Sequence, residues 1–300
     1  MRIVVTGATG YLGKKLVKRL KEEGHDIYAV VRASSDISQI KNIVLGVMQS
    51  IPYEELENKF DEISPEVYIN LAGYYCGSHT KNSIGELLDA NVMLPTFVMD
   101  AAIKSGCSHV IHTASVQQNY AGKNYDPVNL YAATKQAFED ILHYYTSMKK
   151  INAMTLQLFD TYGADDTRGK VFNLVRSLKA GESIAMSPGR QKLYFCYVDD
   201  VIDAYVHALE LVRTDVMGAD HKYAVRLEQP IELRKFVEKY FELMKKDVPV
   251  EWGKREYMAK EIMDPTGIGE ILPGWEAKIS YLQGLTLCSE YDRTKDRQCQ

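Results

Sequence analysis

The chain opens on IVVTGATGYLG (residues 3–13), where three β-branched residues run straight into a turn with glycine at positions 7, 10 and 13. An unbroken apolar run of this kind reads as a strand covered on both faces. Beyond the turn, Leu12, Leu16 and Leu20 recur every fourth residue and lay one apolar stripe along a helix. Gly7 permits the tight turn, Gly10 lets a pyrophosphate approach the backbone, and Gly13 lets the helix pack closely on the sheet. The helix N-terminus then offers unpaired N–H groups and a partial positive charge to the phosphates. The spacing is G-x-x-G-x-x-G rather than the commoner G-x-G-x-x-G, so the reading rests on the order of strand, turn and helix. That order predicts a dinucleotide cradle in an α/β fold, a doubly wound parallel sheet of the Rossmann type, against the alternative of a glycine-rich turn with no ligand.

Three hundred residues suffice for one large α/β domain or for a domain with a smaller lobe. With 36 Lys and Arg against 40 Asp and Glu, the net charge of -4 gives no basic excess for a nucleic-acid partner. No cleavable leader precedes the first strand and no apolar run approaches a bilayer span, which predicts a cytoplasmic protein without a membrane partner. Cys76, Cys107, Cys196, Cys288 and Cys299 include no C-x-x-C pair, and the histidines are scattered. Reduced thiols and no metal site are expected.

Residues 26–31 (DIYAVV) read as a second parallel strand, and the residues at its end bear on the cofactor. NAD-binding units usually end this strand on Asp or Glu; here stand Arg32, Ala33, Ser34 and Ser35, which suit a 2′-phosphate. NADP(H) is therefore favoured over NAD, the alternative being an arginine that caps a strand end in solvent. A third strand is expected at residues 43–45 and a helix at 53–60. VYINL (67–71) supplies a fourth strand, ending in Ala72 and Gly73, small enough for the nicotinamide side to lie against the backbone. Residues 74–83 read as an active-site loop or a surface crossover. Residues 84–105 carry helical spacing, with Leu87, Leu88, Val92, Phe97, Val98 and Ala101 on the expected buried side and Pro95 as an interruption. The strand at Val110 and Ile111 then delivers Thr113, Ala114 and Ser115 to the sheet edge where such folds bind ligands.

Tyr131 and Lys135, in YAATK, stand four apart at the start of a helical stretch and share one face of it. A tyrosine must be moved from its ordinary pKa of about 10 to exchange protons near neutrality, and a neighbouring ammonium favours the phenolate. Lys135 supplies that charge and can hold the nicotinamide ribose, while Ser115 can donate to a substrate oxygen beside Tyr131. Alone, Y-x-x-x-K is a common surface pairing on helices; after a glycine turn and a hydroxyl-bearing strand end, it reads as catalytic.

The motifs TGATGYLG (6–13), INLAG (69–73), HTAS (112–115), YAATK (131–135), LFDTYG (158–163), YVDDV (197–201) and GW (274–275) together resemble the extended branch of the short-chain dehydrogenase/reductase superfamily, that of nucleotide-sugar epimerases, dehydratases and reductases. The resemblance implies a Rossmann domain, a smaller C-terminal lobe that holds a nucleotide sugar, and a homodimer made through a four-helix bundle including the Tyr131 helix. It makes Tyr131 the general acid/base, Lys135 its partner and Ser115 the usual hydroxyl, with Thr113 as a rival. It adds Thr9, Tyr11, Leu12, Leu71, Asn91 and Phe159 to the glycines, Arg32, Ala72, Gly73 and Lys135 as cofactor-binding residues. Asp160 stands where the family has Asn, Val47 where many relatives carry Asp, Leu193 and Tyr194 where an Arg-Asp pair is usual, and Met258 where an Arg often comes after Tyr257.

Dehydratases of this family place acidic residues after the catalytic hydroxyl, and Val116 and Gln117 offer none. C4 redox chemistry remains: 4-epimerisation with tightly held NAD, or 4-keto reduction by NADPH, which Arg32 favours. VVRASSD (30–36), YAATKQAFEDILHYY (131–145) and WGKREYMAKEIMDP (252–265) resemble the CDP-paratose and CDP-abequose synthase group. A CDP-linked 4-keto sugar is thus the favoured substrate, with dTDP and GDP left open, and a non-catalytic NADPH-binding regulator is the alternative of another class. The division expected is residues 1–159 plus about 190–223 for the cofactor domain, and about 160–189 and 224–288 for the substrate lobe, where Asp160, Arg168 and Lys170, or Lys254 and Arg255, would meet the nucleotide sugar. Residues 289–300 (SEYDRTKDRQCQ) carry no apolar stripe and read as a frayed tail.

Overall fold

The computed structural model describes residues 1–49, 53–179 and 181–298. Of the five cysteines, Cys299 lies outside them. Seven strands, β1 (Arg2–Thr6), β2 (Asp26–Val31), β3 (Gly46–Gln49), β4 (Val67–Asn70), β5 (His109–Ser115), β6 (Asn152–Leu158) and β7 (Asp220–Val225), form one parallel sheet in the order β7-β6-β5-β4-β1-β2-β3. Parallel strands need helical crossovers on both faces, and strand alternation divides the side chains between two cores. Ile3, Val5, Ile27, Ala29, Val67, Ile69 and Ile111 face one way, under α1 (Tyr11–Glu22) and α7 (Val198–Thr214). Val4, Val30, Tyr68 and Val110 face the other, under α2 (Tyr53–Ile63), α4 (Leu94–Lys104) and α5 (Leu130–Ser147). The expected doubly wound sheet is thus present, and among the described residues no helix is long and apolar enough to cross a membrane.

Among the described residues further elements lie beside the sheet, most of them after β6. Three two-stranded ribbons pair Asp160–Tyr162 with Phe195–Tyr197, Ile184–Met186 with Val250–Trp252, and Lys192–Leu193 with Ile231–Glu232. With α6 (Val171–Arg176), α8 (Leu233–Met244) and α9 (Tyr281–Gln298) they enclose an aromatic cluster in which Phe195 and Phe236 stack 3.6 Å apart. That cluster is continuous with the α1/α7 core, so these elements share their interior with the sheet.

Four features differ from expectation. The third strand is Gly46–Gln49, not 43–45, because Ile40 and Val44 are consumed as buried residues of the turns before it. Pro95 sits in the first turn of α4, and the chain accommodates it with a π-helical turn, Asp89–Met93, after α3 (Lys81–Leu88). The extra residue in that turn rotates the surface, so Leu88 and Phe97, expected inside, are exposed. Finally, 289–298 is no frayed tail: α9 runs to Gln298, with Ser289 fully buried and Asp292 paired with Arg176 at 2.8 Å.

Candidate active site

Strand order reverses between β1 and β4, and the crevice beyond their C-terminal ends is where such sheets take ligands. Gly7 turns there with φ +75, and a Cβ on it would lie 2.6 Å from the backbone of Leu71 and Ala72, so no other residue fits. Gly13 behaves differently from expectation: its Cβ would lie 2.1 Å from the Gly7 oxygen, so its role is to close the helix on the turn itself, not on the sheet. Gly10, exposed, caps α1 without a side chain, and the first turn of α1 carries no acid. The first-turn N–H groups are left for an anion, which is the fit a dinucleotide pyrophosphate requires. Arg32, exposed, stands just beyond the end of β2, the neighbouring strand.

Ser115 ends β5, and its hydroxyl accepts the Gln117 N–H at 3.2 Å to start a short 3₁₀ turn, Val116–Gln118. Gln117 in turn fixes the start of α5: its side-chain oxygen accepts from Asn129 at 3.0 Å, and Asn129 caps the helix by accepting the Ala132 N–H at 2.9 Å. These bonds bring Tyr131 against Ser115. Burial, with some help from Tyr75, pushes the Tyr131 phenol up to about 12, and the nearby Ser115 hydroxyl opposes that rise. One turn on, Lys135 is 2% exposed, and burial pulls its ammonium down to about 8 against the charge of Glu139. A Cβ on Gly73 would come within 4.0 Å of the Lys135 nitrogen, so the small strand end and the lysine belong to one pocket. Desolvation of the phenolate is the largest influence on Tyr131 and favours its neutral phenol.

The two candidate hydroxyls differ in their partners. Thr113 donates to the Asn70 carbonyl at 2.8 Å and lies 2.6 Å from the Tyr205 hydroxyl, so it braces β5 against β4 and α7; Ser115 is the hydroxyl beside Tyr131. Asn91, expected at the cofactor, is fully buried and committed to protein: it accepts the Tyr74 N–H at 2.8 Å and donates to the Tyr74 carbonyl and to Thr134. Phe159 packs its ring on Tyr194, leaving little but backbone for a ligand. Tyr11 spends its hydroxyl on Asp165 at 2.9 Å and its ring face on Arg168. Thr9 and Leu12 are partly buried in the turn and first helical turn, and Leu71 and Ala72 close the crevice wall at Gly7.

Among the expected substrate residues, Arg168 is paired with Asp166 at 2.8 and 2.7 Å, and Lys254 and Arg255 are exposed. Lys170 donates to the Thr161 carbonyl at 2.9 Å, and burial draws it down to about 8. Asp160, half-buried, is pushed up by burial against the charge of Lys170, and its own charge helps raise Glu261. Two residues escape the sequence pattern: Tyr75, whose ring meets Tyr131 edge-on at 5.0 Å, and Tyr205. The tyrosine pair directly after the small strand end is the available signal for Tyr75; Tyr205 lies ninety-two residues from its partner Thr113 and gives none.

Glycine crevice, neutral phenol, buried lysine and strand-end hydroxyl define a nicotinamide-dinucleotide enzyme of the extended short-chain dehydrogenase/reductase type. The chain belongs to the NAD dependent epimerase/dehydratase family, whose model matches residues 3–221. It is 30% identical over 210 residues to a CDP-abequose synthase of Yersinia pseudotuberculosis, covering 69% of this chain and 72% of that one. It is 28% identical to the CDP-abequose synthase of Salmonella typhimurium, over 94% of this chain and 95% of that one. In fold it matches the UDP-glucose 4-epimerase of Thermotoga maritima with TM-score 0.83 at 21% identity, covering 98% and 99% of the two chains.

Proposed function

We propose that this enzyme reduces the C4 keto group of a nucleotide-linked 4-keto-(di)deoxyhexose with NADPH, a CDP-linked sugar being favoured, in the synthesis of deoxysugars for surface polysaccharide. The observation that carries the choice of reduction is Arg32: an exposed guanidinium at the end of β2, where a 2′-phosphate would add charge-assisted hydrogen bonds and a carboxylate would repel it. The likeness to CDP-abequose synthases supports the nucleotide and the sugar. Residues 160–189 and 224–288 are read as the lobe that receives the nucleotide sugar, with Lys170 and Asp160 facing it.

Reduced nicotinamide, when bound, supplies a hydride. The residues do the rest. Tyr131 gives its proton to the C4 oxygen, a task for which a neutral phenol is the competent form. Ser115 donates to the same oxygen and orients it, Lys135 holds the ribose hydroxyls, and the exposed Gly73 and Gly10 admit ribose and pyrophosphate. No carboxylate comes directly after Ser115, and Gln117 is spent on Asn129, so elimination of water has no base there.

Arg32→Ala is expected to weaken NADPH about tenfold or more while leaving NADH unchanged, as NADPH fluorescence titration measures; equal effects on both would put Arg32 in solvent. A panel of CDP-, dTDP- and GDP-4-keto-6-deoxysugars, monitored by loss of NADPH absorbance, tests the reaction. Interconversion of C4 epimers without added coenzyme would instead favour a 4-epimerase with bound NAD, and cofactor binding without turnover on any member would favour a regulator. We also read the chain as a homodimer, because Leu88 on α3, Met93 in the π turn, Phe97 on α4, Tyr144 on α5 and Met148 just after it are exposed apolar side chains. Light scattering should give a two-chain particle that Phe97→Glu splits; a one-chain particle in the parent contradicts it.

A further inference from the structure

Glu139 lies one turn beyond Lys135 on α5, its side chain largely buried, and none of the proposed chemistry uses it. One of its oxygens accepts from the Gln118 amide at 2.7 Å, and Lys222 of β7 reaches the two oxygens at 2.7 and 3.0 Å. Gln118 is fully buried, and its carbonyl end accepts the backbone N–H of Ser115 at 2.8 Å. Its NH₂ end gives to Gln136 and Glu139, so the orientation of the amide is fixed from both sides. A chain of two hydrogen bonds therefore joins the end of β5, with Ser115, to the helix that carries Tyr131 and Lys135. The titratable groups beside Lys135 are Tyr131 and Glu139 one turn to either side on its own helix and His112 on β5, with Lys222 of β7 bonded to Glu139; burial and the two lysines keep His112 neutral, which leaves Glu139 as the anion that favours the Lys135 ammonium.

We propose that Glu139 is a positioning residue of this site: through Gln118 it fixes Ser115 against Tyr131, and it supplies the counter-charge for Lys135. The role rests on the proposed roles of Tyr131, Lys135 and Ser115. The test uses the full chain with lysine labelled by carbon-13 at the ε-carbon, the Lys135 signal being the one lost in Lys135→Met. In the parent it should titrate near pH 8. In Glu139→Gln, which keeps an acceptor for Gln118 but loses the charge, the midpoint should fall by about half a unit or more. The alkaline limb of kcat/KM for NADPH and a CDP-4-keto-3,6-dideoxyhexose should fall with it, and Glu139→Asp should restore part of both. Should Glu139→Gln fail to fold, Lys222→Met, which removes the opposing cation from a partly exposed position, is expected to raise the midpoint. Unmoved midpoints in both variants, with kcat merely scaled down, would overturn the role of Glu139 while a dead Tyr131→Phe left the reaction intact as a reading; a Tyr131→Phe with undiminished kcat would overturn the reaction reading itself.

Discussion

Replacing Tyr131 by Phe is expected to lower kcat by a factor of about 10²–10⁴, the range a positioned proton donor contributes, while cofactor affinity stays at the parent's level. The surroundings of the ring do not change. The phenyl group keeps its packing against Tyr75 and its place on α5, Ser115 keeps its bond to Gln117, and Lys135 keeps its pocket beside Gly73. What is lost is the hydroxyl, with its proton and its approach to Ser115. Because burial holds the parent phenol neutral to about pH 12, its protonation should not limit the reductive reaction on the alkaline side; Lys135, drawn down to about 8, should. Above that pH the ammonium gives up its proton and kcat/KM falls. A pH profile of both proteins with NADPH binding as the second readout checks this, and a Phe variant that turns over like the parent would remove Tyr131 from the chemistry.

The second large effect concerns stability. Asp292→Ala should lower the unfolding free energy by about 3–5 kcal/mol, the penalty of leaving one partner of a buried ion pair alone. Arg176 is 7% exposed at its side chain, and its guanidinium is held by both Asp292 oxygens at 2.8 Å and by the carbonyls of Gly163 and Ala164. Asp292 also accepts from the Tyr240 hydroxyl at 2.5 Å, so its removal strips α6 and α8 of their common partner on α9. Lys246→Ala, which breaks the exposed pair with Asp296, should cost under about 1 kcal/mol. Urea unfolding of the two variants separates the cases, and equal small losses would mean that α9 docks on apolar contacts alone.

That helix marks the limit of what the sequence makes legible. Residues 289–298 lack a stripe, and what holds them is an arginine more than a hundred positions away, which no local pattern reveals. The cradle is legible for the opposite reason: IVVTGATGYLG forms its strand, its turn and its helix start within eleven residues, and Tyr131 with Lys135 need only one helical turn to share a face. Intermediate cases depend on one further fact each. The periodicity at 84–105 is correct in kind, but the π turn ahead of Pro95 shifts which side of the helix Leu88 and Phe97 occupy. The adjacency of Thr113 and Ser115 does not tell them apart; their partners do, Thr113 meeting Tyr205 on α7. Arg168 reads as a cation for a diphosphate because nothing in the sequence shows Asp166, only two residues away, folding back to clamp it.

The most direct test traces the hydride. With deuterium-labelled NADPH and a CDP-4-keto-3,6-dideoxyhexose, proton NMR of the product should show one deuterium at C4 and one NADPH oxidised per sugar reduced, in the parent and not in Tyr131→Phe. A sugar recovered unlabelled with NADPH unconsumed, or epimers that interconvert without any added coenzyme, would contradict it.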